Sequence, residues 1–118
     1  GTLGIRFSAL EAGYAVAFME VRPEVMAPNG FLHGGTVTAL ADTACGFGTF
    51  VTPGGDRTQF ATIELACNFL GTARDGRIEC VATLIHAGRT TQVWDAQVTR
   101  ADGRRIAMFR ATQLLLQQ

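Results

Sequence analysis

The chain has 118 residues, of which 47% are apolar, and we expect one globular domain over residues 1–118. Its ten acidic and ten basic residues cancel without clustering, which argues against a nucleic-acid footprint or a polybasic membrane patch. Three widely spaced cysteines, Cys45, Cys67 and Cys80, lie in apolar runs and are predicted to be reduced packing residues of a cytoplasmic protein, not disulfides or zinc ligands.

Two alternating stretches at the start of the chain predict a β-hairpin. They cover residues 3–10 and 14–22, with Glu11-Ala12-Gly13 as the turn between them. A loop follows and ends in Asn29-Gly30, a pair that favours a tight turn of the backbone.

The next stretch, residues 33–50, predicts one long helix. Apolar residues fall on nearly every face, which is the pattern of a helix buried on most sides. Although this region approaches membrane-spanning length, its glycines, threonines and central Asp42 make insertion costly, and we predict no transmembrane segment.

Asp42 is the only charged residue between Glu24 and Asp56. A buried carboxylate is costly unless it shifts its pKa, finds hydrogen bonds or lines a cavity reached by substrate and water. Two interpretations follow. Asp42 is either a structural residue that bonds Thr38, Thr43 or the backbone, or it carries chemistry.

Four long alternating stretches after the helix predict strands joined by tight turns. Because no further helices alternate with these strands, an antiparallel sheet is expected, curled around the single helix in an α+β fold. The predicted strands are residues 61–70, 77–86, 91–100 and 105–116.

The start of the helix, His33-Gly34-Gly35, offers backbone N–H groups that have no partner within the helix. Such donors can stabilise an oxyanion formed from a thioester or ester, here mainly through the Gly34 N–H. His33 and Asp42 are nine residues apart, about 13.5 Å along a helix, so one subunit cannot bring both to one atom. Two antiparallel helices across a two-fold axis could, which predicts a homodimer with two shared sites.

Two groups of residues carry a family resemblance. They are Gly30-Phe31-Leu32-His33-Gly34-Gly35 with Leu40-Ala41-Asp42-Thr43-Ala44, and Thr62-Ile63-Glu64-Leu65 with Asn68-Phe69-Leu70. Together they resemble the hotdog-fold acyl-CoA thioesterases of the phenylacetic-acid-degradation (PaaI-like) branch. The resemblance covers nearly the whole chain.

The resemblance implies hydrolysis of acyl-CoA thioesters without a metal or cofactor, by dimers that often pair into tetramers. Asp42 matches the catalytic carboxylate, Gly34 the N–H that polarises the carbonyl, and His33 the histidine beside that glycine. Thr62 matches a hydroxyl that, like Asp42, serves the site from the subunit opposite to Gly34. The turn Gly88-Arg89-Thr90 resembles one that lies near the CoA phosphates.

One position departs from the family pattern. The family usually places Asn or Gln six residues before the histidine, where this chain has Ala27. Asn29 either reaches the same point through a shifted loop or forms a plain turn, in which case the site lacks that group.

Several alternatives stay open from the sequence. Asp42 acts either as a general base on water or as a nucleophile through a mixed anhydride, and the acyl group is aryl or medium alkyl. A hotdog hydratase or dehydratase and a non-catalytic acyl-CoA sensor are the competing functions. Cysteine catalysis by Cys45 is disfavoured because no second base accompanies it. Five aromatic residues are expected to be core first and acyl-pocket residues second: Trp94, Phe47, Phe50, Phe60 and Phe69.

Overall fold

The computed structural model describes residues 4–21, 34–52, 59–71, 73 and 76–116. These residues form the predicted two strands, one helix and four strands, and the α+β prediction is confirmed. The last two strands match their predicted bounds, and the others differ by one to three residues at an end. The elements are β1 (Arg6–Glu11), β2 (Tyr14–Glu20), α1 (Gly34–Val51), β3 (Gln59–Phe69), β4 (Arg77–Ala87), β5 (Thr91–Arg100) and β6 (Arg105–Leu116).

All six strands join one antiparallel sheet in the order β1-β2-β4-β5-β6-β3. The hairpin turns use glycines where the backbone must take a left-handed conformation, with φ of 78° at Gly13 and 88° at Gly103. Because β3 pairs with the last strand, it lies at one edge of the sheet and β1 lies at the other.

Helix α1 packs across the sheet, mainly on β2, β4 and β5. Small and apolar side chains of the inward strand positions receive it, among them Ala17, Cys80, Ala82 and Ala96, all buried. The residues of α1 that are buried in this contact are Thr36, Val37, Leu40, Ala41, Ala44, Cys45, Gly48 and Thr49.

The helix lies very close to the sheet at Gly48. A Cβ atom there would lie only 2.6 Å from the ring of Trp94, which is fully buried. The end of the helix is also tied to the first hairpin, because the Thr52 hydroxyl donates to the Gly48 carbonyl and accepts from the Gly13 N–H at 2.9 Å. These contacts fix the depth and direction of α1 on the sheet.

The expectation that α1 is buried on most sides is wrong for the protomer. Gly35, Asp42, Phe47 and Phe50 are exposed on the side that the central strands do not cover. Phe47 lies at the border of this side, where its ring centroid is 5.1 Å from that of Phe7 on β1. The helix is nevertheless apolar on this face, with Phe47 50% and Phe50 58% exposed. The sheet therefore covers only one side of α1, and we call the other side the open face.

Strand β3 is also uncovered. Residues 61–64 and 66–70 are all exposed, including the large side chains Ile63, Phe69 and Leu70. Cys67 is exposed with them, so its predicted role as a packing residue is wrong, because β3 lies at the sheet edge beyond the helix.

Within the described residues, α1 does not meet the length and hydropathy that crossing a bilayer requires.

Candidate active site

A cavity of about 430 Å³ lies between the open face of α1 and the edge strand β3. Its walls are largely apolar, and among the described residues that line it Asp42 alone is charged. A pocket with apolar walls and few polar groups is typical of a small-molecule site. The lining residues are Asp42, Thr43, Gly46, Phe47, Phe50 and Thr62.

Helical periodicity explains why Asp42 faces this cavity. Asp42, Gly46 and Phe50 follow one another at intervals of four residues and therefore form one row along the open face. The preceding Leu40 and Ala41 are fully buried, whereas Asp42 is exposed in the protomer, which corrects the expectation of a buried carboxylate.

The carboxylate of Asp42 has no hydrogen-bond partner among the described residues. Thr38 and Thr43, the partners expected from the sequence, donate no hydrogen bond to it; instead Thr43 lines the cavity beside it. The structural interpretation of Asp42 therefore receives no support from the described contacts. A carboxylate without such bonds keeps its lone pairs available for a ligand or a water molecule.

Strand β3 contributes Thr62, a further polar residue, to the cavity. Its hydroxyl donates to the Oε1 atom of Gln113 at 2.6 Å, and the two residues are paired across β3 and β6. The register of these strands shifts between Thr62 and Glu64. The structure thus brings Asp42 and Thr62, two of the predicted site residues, to one cavity.

Gly34 lies away from this cavity, at the beginning of α1. A Cβ atom at Gly34 would be 3.6 Å from the ring of Phe69, at the opposite end of β3 from Thr62. Eight residues separate Gly34 from Asp42, which corresponds to roughly 12 Å along a helix. One protomer therefore does not join Gly34 to Asp42, as predicted from the sequence. His33, Asn29 and Ala27 lie outside the described residues.

The turn Gly88-Arg89-Thr90 lies at the same end of the sheet as Thr62. Leu114 on β6 pairs with Ala61 on one side and with Thr91 on the other. All three turn residues are exposed, and a Cβ atom at Gly88 would approach the His86 ring to 3.2 Å. The Arg89 guanidinium is therefore exposed to solvent. It lies in the turn before β5, and β6 separates β5 from β3, the strand that lines the cavity.

The two buried thiols, Cys45 and Cys80, do not offer a nucleophile here. Burial raises the pKa of the Cys45 thiol to about 12, and the nearby Asp42 carboxylate adds to the effect. Burial also raises the pKa of the Cys80 thiol. Thiols with raised pKa values are poor nucleophiles because the thiolate is the reactive form. No group of His, Cys, Asp and Glu suited to a metal ion occurs within the part of the chain that the structure describes.

Sequence reasoning missed three features of this region. Phe47 and Phe50 are expected to be core residues first and acyl-pocket residues second, and only the second interpretation agrees with the structure, because they are exposed and line the cavity. The same error applies to Phe69, which is 51% exposed, whereas Trp94 is fully buried as predicted. Gln113 was not considered, although the alternation of Ala111, Gln113 and Leu115 in β6 places a polar residue in the buried row.

Comparison with known proteins gives consistent matches over nearly the whole chain. Residues 29–107 match the family described as the thioesterase superfamily. A 1,4-dihydroxy-2-naphthoyl-CoA hydrolase of Listeria monocytogenes is 33% identical over 111 residues, covering 94% of this chain and 89% of the relative.

Solved structures agree with these matches. A variant of a thioesterase from Staphylococcus aureus is 32% identical and superposes with a TM-score of 0.93, covering 98% of this chain and 96% of that chain. A thioesterase variant from Pseudomonas aeruginosa is 34% identical, with a TM-score of 0.90 over 98% of this chain and 83% of that one. The Escherichia coli PaaI protein, at 24% identity and a TM-score of 0.89 over 98% of this chain and 82% of that chain, shares the fold.

Proposed function

Because this chain belongs to the thioesterase superfamily and is a hydrolase with the hotdog fold, we propose that it cleaves acyl-CoA thioesters with Asp42 as the catalytic carboxylate. The observation that carries the proposal is the cavity. It places one carboxylate, without a hydrogen-bond partner among the described residues, among aromatic and small side chains. Such surroundings suit an apolar acyl group whose reactive carbon must meet a base or a nucleophile.

The proposed reaction needs two functions that Asp42 cannot supply alone. The thioester carbonyl must be polarised, and a backbone N–H at a helix N-terminus is a suitable donor for the developing oxyanion. We assign this function to Gly34 of the partner subunit, with His33 and Asn29 orienting the site and Thr62 serving beside Asp42. Water then adds to the carbonyl carbon, or the Asp42 carboxylate does so first and water cleaves the resulting anhydride. In either case the C–S bond breaks, and the products are a carboxylic acid and free CoA.

The proposed reaction requires a homodimer, because Asp42 and the Gly34 N–H come from different subunits. Gly34 and Asp42 are roughly 12 Å apart along one helix, so a second copy must bring its Gly34 to the cavity. Two surfaces suit such a copy: the open face of α1, with exposed Phe47 and Phe50, and the unpaired side of β3, in which Glu64 is the only charged residue. An edge strand with so few charged residues and exposed apolar side chains favours pairing with another strand. Assembly of two dimers into a tetramer remains a prediction from the family.

The CoA part of the substrate would extend towards the turn Gly88-Arg89-Thr90. Arg89 is exposed at the end of the sheet where Thr62 lies, and a guanidinium binds phosphate oxygens through paired hydrogen bonds. The acyl part would lie against Phe47 and Phe50, which suit either an aryl group or a medium alkyl chain. The named activity of the Listeria relative gives one aryl candidate for the panel of substrates.

A panel of aryl-CoA and alkyl-CoA thioesters tests the proposal directly. Hydrolysis should release one CoA thiol for each thioester lost, and water addition without thiol release would instead indicate a hydratase. Because Cys67 is exposed and would itself consume a thiol reagent, the assay needs a Cys67→Ser background or detection by thioester absorbance. Saturable binding of every acyl-CoA without turnover would contradict the proposed reaction.

A further inference from the structure

Gln113 is a fully buried polar residue that contacts the site through one hydrogen bond. Its side chain is 0% exposed, and its Oε1 atom accepts the Thr62 hydroxyl at 2.6 Å. The two residues are directly opposite each other in the pairing of β3 with β6. Directly opposite side chains on one face of a sheet are close neighbours, so the strand pairing itself holds this contact in place.

The direction of this bond decides what Thr62 can do in the cavity. An amide oxygen only accepts hydrogen bonds, and a threonine hydroxyl has a single proton to donate. Once that proton is directed to Gln113, the Thr62 oxygen offers only its lone pairs to other groups. Thr62 is exposed and lines the cavity, so those lone pairs are available there.

We propose that Gln113 is a positioning residue, which by accepting the Thr62 proton makes Thr62 an acceptor for the water that attacks the thioester. The inference rests on the proposed function. Asp42 and Thr62 then present two acceptors to the cavity, and two acceptors cannot bond each other. A water molecule between them donates one O–H to each, and its lone pair is left for the carbonyl carbon.

This arrangement assigns the general-base role to Asp42. The water oxygen forms the new C–O bond while one of its protons passes to the Asp42 carboxylate. When the C–S bond breaks, the thiolate of CoA leaves with the electron pair and takes up the proton that Asp42 accepted, which restores the carboxylate. If Gln113 did not hold the Thr62 proton, the hydroxyl could turn and donate to Asp42. A hydrogen bond to the charged form of a carboxylate stabilises that form and makes it a weaker base.

Gln92 provides a matched control within the same sheet. It is 1% exposed and pairs with Gln113 across β5 and β6, but its Oε1 accepts the Trp94 indole N–H at 3.0 Å. The Nε2 atoms of both glutamines are buried without a partner among the described residues. Replacing either residue by Met therefore removes one used acceptor and one unused donor from the core. Only the replacement of Gln113 removes a hydrogen bond that Thr62 makes.

The test begins with an acyl-CoA that the wild-type protein hydrolyses, because the absence of any such substrate would count against the proposed function and not against Gln113. On that substrate, Gln113→Met should lower kcat by about three- to tenfold, the range for losing one neutral hydrogen bond, with KM within about twofold. Gln92→Met should leave kcat per folded molecule within about twofold. Thermal melting of both variants measures the structural cost, which should be similar.

A double-mutant cycle with Thr62→Val separates positioning from general loosening of the core. If Gln113 acts through the Thr62 hydroxyl, Gln113→Met should cause no further loss of kcat in the Thr62→Val background. A further loss of three- to tenfold there, or equal losses in Gln113→Met and Gln92→Met, would overturn the proposal. If Gln113→Met does not fold, Gln113→Asn is the second variant. It keeps the amide, but its side chain is one methylene shorter, so the amide oxygen no longer reaches the Thr62 hydroxyl. A wild-type kcat in that variant would equally overturn it.

Discussion

The two faces of helix α1 are both largely apolar, but one packs on the sheet and the other lines the cavity. Leu40, Ala44 and Gly48 on the inward face are fully covered by the sheet, and Gly48 leaves no room for a side chain beneath Trp94. The open face carries Asp42 and Phe50, both exposed. Substitutions on the inward face should therefore change stability, whereas substitutions on the open face should change activity or assembly.

The largest effect is expected at Asp42 on the open face. Asp42→Asn keeps the shape of the side chain but removes the base or nucleophile, so kcat should fall by roughly 10²–10⁴. Because the carboxylate has no hydrogen-bond partner among the described residues, the free energy of unfolding should change by less than about 0.5 kcal/mol. Acyl-CoA turnover and thermal melting on one preparation check both statements.

Asp102→Asn is a control for this replacement. It makes the same chemical change in the turn between β5 and β6, where bonds from Arg100 and the Arg104 N–H lower the pKa of the carboxyl to about 2. It should leave turnover unchanged. Near-normal turnover in a destabilised Asp42→Asn protein would instead identify Asp42 as a structural residue, and the two faces of α1 would no longer differ in the predicted way.

The second effect concerns the N-terminus of α1. Gly34→Pro removes one backbone N–H at the first helical residue, where proline is tolerated, and kcat should fall by about 10²–10³. Gly34→Ala is the matched control, since it keeps the N–H and its Cβ would meet the Phe69 ring at an ordinary 3.6 Å. Its turnover should stay within about threefold of wild type.

Mixed dimers test whether the open faces of two copies share their sites. Subunits with Asp42→Ala and subunits with Gly34→Pro should each be inactive alone, whereas their hybrids regain one working site of two. Failure of verified, folded hybrids to regain activity would place both groups in one chain. Sedimentation of the wild-type protein as an active monomer would contradict the dimer in the same way.

A third prediction concerns the inward face, where stability should change and the chemistry should not. Gly48→Ala places a methyl group 2.6 Å from the Trp94 ring, so overpacking should cost about 1–3 kcal/mol. The matched comparison is Gly46→Ala, two residues away on the cavity wall. This variant should keep or raise the melting temperature, because alanine is more favourable than glycine in a helix by about 1 kcal/mol. Its KM for bulky acyl groups should change, because the added methyl group narrows the cavity. Equal melting temperatures for the two variants would show that the contact at Gly48 relaxes freely.

The smallest effect is expected at Arg89, away from both faces of the helix. Arg89→Ala should raise KM for acyl-CoA by about three- to tenfold and change kcat less, because the lost contact is to a part of the substrate that does not react. Added salt should reduce the difference, since screening weakens attraction between exposed charges. An unchanged KM at low salt would place the phosphate site elsewhere.

Most of the fold followed from the sequence because periodicity and turn residues act locally. The bounds of β5 and β6 were predicted correctly, since alternation continues to the residues beside Gly88 and Asp102-Gly103. The predicted helix began one residue before Gly34, at a position outside the described residues. Its end at Phe50 is one residue short of the observed Val51.

The exposure of the site could not be predicted in the same way. An apolar helix face that meets its own sheet and one that awaits another molecule have the same composition, so Phe47 and Phe50 resembled core residues. Asp42 was placed in the interior for the same reason. Gln113 was within reach of prediction, because strand alternation puts it in the buried row, but its contact with Thr62 depends on the pairing of β3 with β6.

The packing of Trp94 against Gly48 also gives the protein an internal optical probe. Trp94 is the only tryptophan in the chain, fully buried under α1, with its indole N–H bonded to Gln92. Its fluorescence should therefore report whether the helix is seated on the sheet and should be insensitive to what covers the open face. Upon dilution, a dimer that separates into folded protomers would lose activity while its emission maximum stays blue-shifted. Loss of activity together with a red shift would mean that the subunits unfold as they part.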